Sequence, residues 1–526
     1  MKSISTCLVL CLFSICTFAQ SSFISTYNST ATEDFIDIAP ISGGGYYAIG
    51  TTISPGSGTA DILLMKMDAN GQQLWSKVYD SGDDDFAAAI KILPGGNLAI
   101  LGTYYPSLLG FQDMILMSID SSGNFISMNS YGGPDEEVAR AMQLLNNGNL
   151  LITGSTASFG TLTQSAIAME INSSGQTVWS NTYGHLPINC FNSALELSNG
   201  TLLFTGYTMD NGNYEGYIVN TTSGGVYNWE KTFEGPGHDE FTSCMEDPGL
   251  QAIIAAGITS DSTAGQTDLF IAGFDENGTT YSTGIIGTTD FDWCTSIHPS
   301  TIAGDIILTG YSTVSDSNGI NNAPFALSID PLTPQINWSV YYSDGISEAR
   351  SQKSIINNGQ LIMAGFRQET LQFESSSLLI SMPLQPGILC LENNLGMNIG
   401  LSTLTEGLPI TANAAAAVNV ASVSTVITNV GVLQDSVFCT TTSLQEQLAV
   451  SKLEIFPNPV SHELHLRSPL TSGIYTITDM QGREYQRSFI TYDQQIDVAT
   501  LPAGLYLLHL ESSNSRFTVK FVKEVD

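Results

Sequence analysis

Seven short apolar segments end in glycine at a nearly constant interval, and that interval restricts the chain to a repeat architecture. They are Ala48-Ile49-Gly50, Ile100-Leu101-Gly102, Leu151-Ile152-Thr153-Gly154, Phe204-Thr205-Gly206, Ala255-Ala256-Gly257, Leu308-Thr309-Gly310 and Met363-Ala364-Gly365. The steps between glycines are 52, 52, 52, 51, 53 and 55 residues. Self-similarity at this period marks a solenoid, a propeller or an array. The length, 526 residues, agrees, because it exceeds what one ordinary core organises.

One period reads as four strands: Phe86 to Leu93, Asn97 to Tyr104, Asp113 to Asp120 and Phe125 to Tyr131. Turn residues separate them, and no helical period intervenes, so antiparallel meanders are expected. The runs Ile62 to Met67, Met114 to Ile119 and Leu378 to Ile380 are almost continuously apolar. A sheet covered on both faces requires that pattern, and radial stacking supplies both covers. Small residues in the first strand (Ala87, Ala88, Ala89) suit the axis, where sheets converge. The turns Asp68 to Gly71, Asp120 to Gly123, Asn172 to Gly175 and Asp275 to Gly278 then close the third strand onto the fourth. Trp75, Trp179, Trp229 and Trp338 fall on that fourth strand, expected to be the outermost.

Taken together, the motif D-x-A…GNL-x-I-x-G…D-x-x-L-x-x-x-D-x-x-G-x-x-x-W…Y-G-G resembles the SBBP-type seven-bladed β-propeller repeat over roughly Phe23 to Pro383. An open β-array or β-helix is the alternative. Repeat four departs at Val219 to Gly225 and repeat six at Pro331 to Pro334, which leaves their third turns the least defined. The termini are out of phase in a complementary way. Phe23 to Tyr27 lies 52 residues before Trp75 to Tyr79 and so matches a fourth strand, whereas the last repeat ends after its third, Leu378 to Met382. The start of the chain is therefore expected to complete the last blade and remove two sheet edges.

Both ends carry separable modules. Lys2, the apolar run Cys7 to Ile15 and Thr17-Phe18-Ala19 read as a secretory signal over 1–19. The propeller is assigned to 20–386 and a β-rich linker segment to 387–450. The region 451–526 has short alternating strands sufficient for a small immunoglobulin-like sandwich. Its landmarks are Pro457-Asn458-Pro459, the Asp479 to Gly482-Arg483 hairpin, the strand with Gly504 and Tyr506, and Lys520 with Lys523. These motifs strongly resemble the type A C-terminal sorting domain of the type IX secretion system of Bacteroidetes. The resemblance implies that type IX machinery is a partner. It also implies passage across the outer membrane and display at, or release from, the cell surface.

Charge excludes other partners. Of 16 basic and 50 acidic residues, 7 and 9 fall in 451–526, leaving 9 basic and 41 acidic upstream. Such a body repels nucleic acid and anionic lipid. No segment after the signal is apolar for the roughly 18 residues a transmembrane helix needs. Five cysteines follow the signal. Cys390 and Cys439 bracket the linker and are the expected disulfide, while Cys190, Cys244 and Cys294 are expected to stay reduced, with Cys190 and Cys294 at one repeat position two blades apart.

Chemistry, if present, belongs on one rim. Loops entering the first strands carry Glu33, Asp34, Asp83, Asp84, Asp85, Asp135, Glu136, Glu137, Asp239, Glu240, Asp290, Asp292 and Glu348; the boundary Leu186 to Cys190 has no acid. Loops after the repeating glycine add Tyr104, Tyr105, Phe111, Phe159, Tyr207, Tyr214 and Phe373. The plainer reading is that these acids accept turn N–H bonds and keep an exported protein soluble. The sharper one is an acidic binding mouth that admits Ca2+ through oxygen ligands but requires no cofactor. His185 and His238 share the loops, His238 beside Asp239. No phosphate loop, nucleophile elbow or HExxH motif occurs. The sequence thus points to a secreted, monomeric, non-enzymatic protein that contacts a glycan or another protein through one propeller face. The alternative is a polysaccharide hydrolase or lyase using paired carboxylates there.

Overall fold

The computed structural model describes residues 22–384 except 29–31, 54–59, 107–109, 161, 185, 211, 236, 248–251, 261–266, 301–303, 317–318, 332–334 and 370–373, then six strand segments within 392–441 and most of 454–524. The signal segment, His185, Phe373, Cys390, Pro457-Asn458-Pro459 and Gly482 lie outside the described residues, as does the side chain of Cys439.

The protein is all-β. Residues 22–384 make seven four-stranded antiparallel sheets, I to VII in chain order: 33–80, 84–132, 137–183, 188–234, 239–287, 292–342, and 347–383 joined by Ser22–Asn28. In sheet II the strands are Asp84–Ile92, Leu98–Tyr105, Asp113–Ile119 and Phe125–Gly132, each end within two residues of the sequence reading. Third strands are buried along nearly their whole length, as their continuous apolar character requires. First strands pack on first strands of neighbouring sheets, including that of sheet VII on that of sheet I. Ser22–Asn28 pairs with Ser375–Pro383, placing Phe23 opposite Ser381 and Tyr27 opposite Ser377.

The repeating glycine has a steric cause. Every first strand carries a bulge, and the glycine of the second strand stands opposite the residue just before it: Gly50 opposite Phe35, Gly206 opposite Phe191, Gly257 opposite Phe241. The bulge turns the preceding carbonyl into the space a side chain would occupy. A Cβ on Gly50 would lie 1.5 Å from Asp34 O, on Gly206 2.0 Å from Cys190 O and on Gly365 1.9 Å from Arg350 O. None of the seven has positive φ, so it is close approach, not backbone freedom, that demands glycine.

Turns and tyrosines lock adjacent sheets. Asp68, Asp120, Asn172 and Asp275 each accept two backbone N–H bonds through Oδ1 and form the third turn. The divergent fourth repeat keeps that turn with Thr222, which exchanges backbone bonds with Gly225 and Val226. The turn glycine carbonyl then accepts a bond from the buried fourth-strand tyrosine of the preceding sheet. Tyr79 donates to Gly123 at 2.9 Å, Tyr131 to Gly175 at 2.9 Å and Tyr183 to Gly225 at 2.7 Å. Tyr27 donates to Gly71 in the same way and so ties sheet VII to sheet I.

The four tryptophans lie on fourth strands, but these are not the outermost in six sheets. Glu392–Asn394 pairs on sheet VI, Asn398–Leu401 on V, Thr405–Glu406 on IV, Asn419–Ser422 on II, Val426–Asn429 on I and Gln434–Thr441 on Ser22–Asn28 of VII. The segment after the last repeat thus runs back against chain order, supplying a fifth strand to each outer edge it meets and satisfying that edge's N–H and C=O groups. Sheet III has four strands among the described residues.

Contacts divide the chain between Thr442 and Ser443. The second unit has two sheets, one from Glu454–Phe456, Glu463–Arg467 and Gln495–Asp497, the other from Ser472–Asp479, Glu484–Thr491, Gly504–Ser512 and Ser515–Lys523. Its core holds Val460, Leu464, Ile477, Leu508 and Phe521. Among the described residues no helix is long and apolar enough to cross a membrane.

Candidate binding face

The rim acids separate into two groups. Glu33, Asp85, Glu137, Asp239 and Asp292, one per loop, are at most 2% exposed, so they do not line an open mouth. Three of them clamp the loop. Asp85 accepts from Ser81 N at 2.9 Å, Glu137 from Gly133 N at 2.8 Å and Asp292 from Thr288 N at 2.5 Å, each donor four residues upstream. In the loop without an acid, Asn189 occupies this place. Its Nδ2 donates to Leu186 O and Gln164 O, and its Oδ1 accepts from Thr208. Asp34, Asp83, Asp84, Asp135, Asp290 and Glu348 are half-buried, and Glu136 is exposed. Asp34 and Asp84 are also held by backbone N–H groups, those of Thr51 and Ala60. For the clamping acids the plainer reading is therefore the physical one.

Glu240 behaves differently. It lies close enough to Arg140 of sheet III, Tyr207 of sheet IV and Tyr311 of sheet VI to act on their ionisation. Burial is the larger cause that pushes both tyrosines up. On one side of Glu240, His238 Nε2 stands 3.6 Å from Oε2; its ring stacks on Tyr214 at 4.5 Å, which meets Tyr207 edge-on at 5.0 Å. On the other side Tyr311 stacks on Trp293 at 6.0 Å, and the Arg350 guanidinium lies over Tyr311 at 4.9 Å while pairing with Glu348 at 2.6 Å.

The repeat explains this convergence. The residue whose carbonyl crowds each glycine is Asp34, Phe86, Val138, Cys190, Glu240, Trp293 or Arg350, and the residue after the glycine pairs directly with it. Those partners are Thr51, Thr103, Ser155, Tyr207, Ile258, Tyr311 and Phe366. One geometrically fixed pair thus carries small hydroxyls on sheets I to III and an aromatic on IV, VI and VII. The sequence reading found Glu240, Glu348, Tyr207, Tyr214 and His238 but missed Arg140, Trp293, Tyr311, Arg350 and Phe366. Reading across the repeats at the position after the glycine would have exposed Tyr311 and Phe366; Trp293 and Arg350 lie on the first strand and meet them only by pairing, and Arg140 is a bulge residue.

Cys190, Cys244 and Cys294 are free thiols, and burial pushes the thiol of Cys294 up to about 12. The expectation that Cys190 and Cys294 share a repeat position is corrected by register. Cys190 opposes Tyr207, whereas Cys294 opposes Gly310 itself, one residue further on. Among the described residues no group of three or more His, Cys, Asp or Glu side chains is set to hold a metal. In the sorting region Tyr506 and Lys523 are buried, Arg483, Gly504 and Lys520 exposed, and Tyr506 donates to Pro502 O at 2.8 Å.

No curated protein sequence matches the chain significantly. Similar solved structures include Sqt1 from Chaetomium thermophilum, at 10% identity over 69% of this chain and 98% of that one, with a TM-score of 0.40. Others are an alpha-L-arabinanase of Penicillium chrysogenum complexed with arabinobiose (15%, 60% and 99%, 0.39) and the polysaccharide lyase Uly1 (10%, 66% and 90%, 0.40). Residues 454–524 match the secretion system C-terminal sorting domain family, and that module sends the chain through the type IX secretion system to the cell surface or the medium.

Proposed function

We propose that this protein is a closed seven-bladed propeller displayed or released by the type IX system, and that it binds a glycan through the face around Glu240. One observation carries the reading: a backbone position held invariant in geometry by bulge and glycine carries Glu240, Trp293 and Arg350 with Tyr207, Tyr311 and Phe366 beside them. A rigid scaffold that varies only at one facing position is how repeat folds build recognition surfaces. Half-buried rings suit the apolar faces of sugars, and Arg140 and Arg350 suit acidic substituents that the rest of this body would repel. The test is a glycan array probed with the full chain, with Trp293→Ala and with Arg350→Ala. Binding of acidic glycans that falls at least about tenfold in both variants is expected. Undiminished binding moves the site elsewhere.

The second reading, a polysaccharide hydrolase or lyase, rests on the run Tyr214, His238 and Glu240, whose charge also acts on Arg140. A stacked histidine against a carboxylate is a proton-transfer set. Chain shortening of an acidic polysaccharide by the wild type, abolished by Glu240→Gln, would favour it over binding alone.

A further inference from the structure

We propose that the outer edge of sheet III is a docking site for residues 412–415 of this same chain, which pair antiparallel with 181–184 and complete a belt of outer strands. The segment 407–418 lies outside the described residues, and the belt on either side of it carries the argument. The belt strands begin at 392 on sheet VI, 398 on V, 405 on IV, 419 on II, 426 on I and 434 on VII. The steps are 6, 7, 14, 7 and 8 residues, so the one step that passes over a sheet is about twice the others. Elsewhere three or four residues connect one belt strand to the next, whereas twelve separate Glu406 from Asn419. Sheet III stands between the two sheets so joined, because Tyr131 of sheet II donates to Gly175 of sheet III and Tyr183 of sheet III to Gly225 of sheet IV. Twelve residues are enough for two ordinary connectors with one more strand between them.

Register says which residues meet. On sheets I, II, IV and V the belt strand opens opposite the residue that follows Tyr79, Tyr131, Phe233 or Ile286. Val426 stands opposite Asp80, Asn419 opposite Gly132, Thr405 opposite Glu234 and Asn398 opposite Gly287. The same place on sheet III is Gly184, which follows Tyr183, and the residue midway between Thr405 and Asn419 is Ala412. Antiparallel pairing from there sets Asn413 opposite Tyr183, Ala414 opposite Thr182 and Ala415 opposite Asn181. Ala412-Asn413-Ala414-Ala415 is small and uncharged, like the belt strand Asn419–Ser422 on sheet II. Both ends of the segment are already held, on sheets IV and II, so docking it closes only a short loop and costs little chain entropy. A strand from another molecule would have to displace it at a larger entropic cost. With this edge paired, the body offers no bare fourth strand to other copies of itself, the hazard that the belt removes on the other six sheets.

The experiment is hydrogen exchange read by mass spectrometry on the full chain, as wild type and as the double variant Asn413→Pro, Ala414→Pro. Successive residues of a strand point their N–H groups to opposite sides, so two consecutive prolines remove the donor that faces sheet III in either phase. In the wild type the amides of 181–184 are expected to exchange within about tenfold of those of 129–132, which a belt strand covers. In the double variant exchange at 181–184 is expected to quicken by at least about tenfold while that at 129–132 stays the same. Asn181→Cys combined with Ala415→Cys reads the register without the prolines. These positions face each other, so a crosslink within one chain is expected in peptide mapping, since a disulfide spans Cα atoms up to about 7 Å apart. Fast exchange at 181–184 in the wild type, protection that survives the prolines, or a crosslink found only between two chains would overturn the proposal.

Discussion

At Gly206 a side chain has nowhere to go, since its Cβ would sit 2.0 Å from the Cys190 carbonyl oxygen and 2.9 Å from Phe191 Cα. Both obstacles are backbone, so relief requires the bulge itself to shift. Gly206→Ala is expected to destabilise the protein by about 1–3 kcal/mol in denaturant unfolding. Gly224→Ala, whose nearest neighbour is Thr222 Oγ1 at 4.0 Å, is expected to stay within about 0.5 kcal/mol. Ionisation gives a second residue-scale expectation. Burial, helped by neighbouring carboxylates, raises Asp61 to about 7 and Asp85 and Asp113 to about 6, all from 3.8. The folded state therefore holds extra protons between about pH 4 and 7, and the stability this brings is fully present below that window and lost as pH rises through 6 to 7. Asp344, drawn down to about 2 despite burial by the Arg367 guanidinium and two backbone N–H groups, works the opposite way and loses its contribution only as pH falls towards 2. The unfolding midpoint should drop between about pH 4 and 7, and Asp113→Asn should make the drop shallower. A midpoint that climbs over that range would contradict this assignment.

Strands and turns act through repeated couplings. Tyr79, Tyr131 and Tyr183 each donate across a sheet boundary, whereas the equivalent position in sheet IV is Phe233, which instead packs edge-on against Phe241 at 5.4 Å. The site therefore accommodates a phenyl ring, and Tyr183→Phe isolates the hydroxyl. It should cost about 1 kcal/mol, since the buried Gly225 carbonyl loses one of its two donors and keeps only Asn181 Nδ2. Ser22–Asn28 is bonded on both sides, to Ser375–Pro383 and to Gln434–Thr441. Deleting it strips sheet VII of one strand and leaves another without a partner. A fall of more than about 5 °C in the unfolding midpoint is expected, and an unchanged midpoint would mean that the remaining strands re-pair without it.

At the scale of the molecule, the acidic propeller body and the sorting module are separate contact units with separate tasks. Deleting 454–524 should leave the chain behind the outer membrane without lowering the thermal stability of the remainder, which cell fractionation and calorimetry would report together. A truncated chain that still reaches the medium would deny the module its role. The fivefold strand sets also imply that the segment after the last repeat is part of the body, so a truncation ending near residue 386 should unfold earlier than one ending near 442.

The sequence by itself determined what depends on neighbours in the chain: the period, the four strands of each repeat, the Asp and Asn turns, and the sorting motifs. Apolar runs and Asx turns are local chemistry, so they survive being read without coordinates. The phase of Phe23 to Tyr27 was legible for the same reason, because it copies Trp75 to Tyr79. Tertiary structure alone decided why the glycine recurs, because the carbonyl that forbids a side chain belongs to another strand. It decided which acids are clamps, because Asp85 and Glu136 look alike in sequence and differ only in which loop folds over them. It also decided that Glu392–Asn394 through Gln434–Thr441 would edge six sheets, that Tyr311 and Arg350 would stack, and that the charge of Glu240 would act on Arg140 and Tyr311. These pairings join residues tens to hundreds of positions apart, and only the folding of the backbone brings them together.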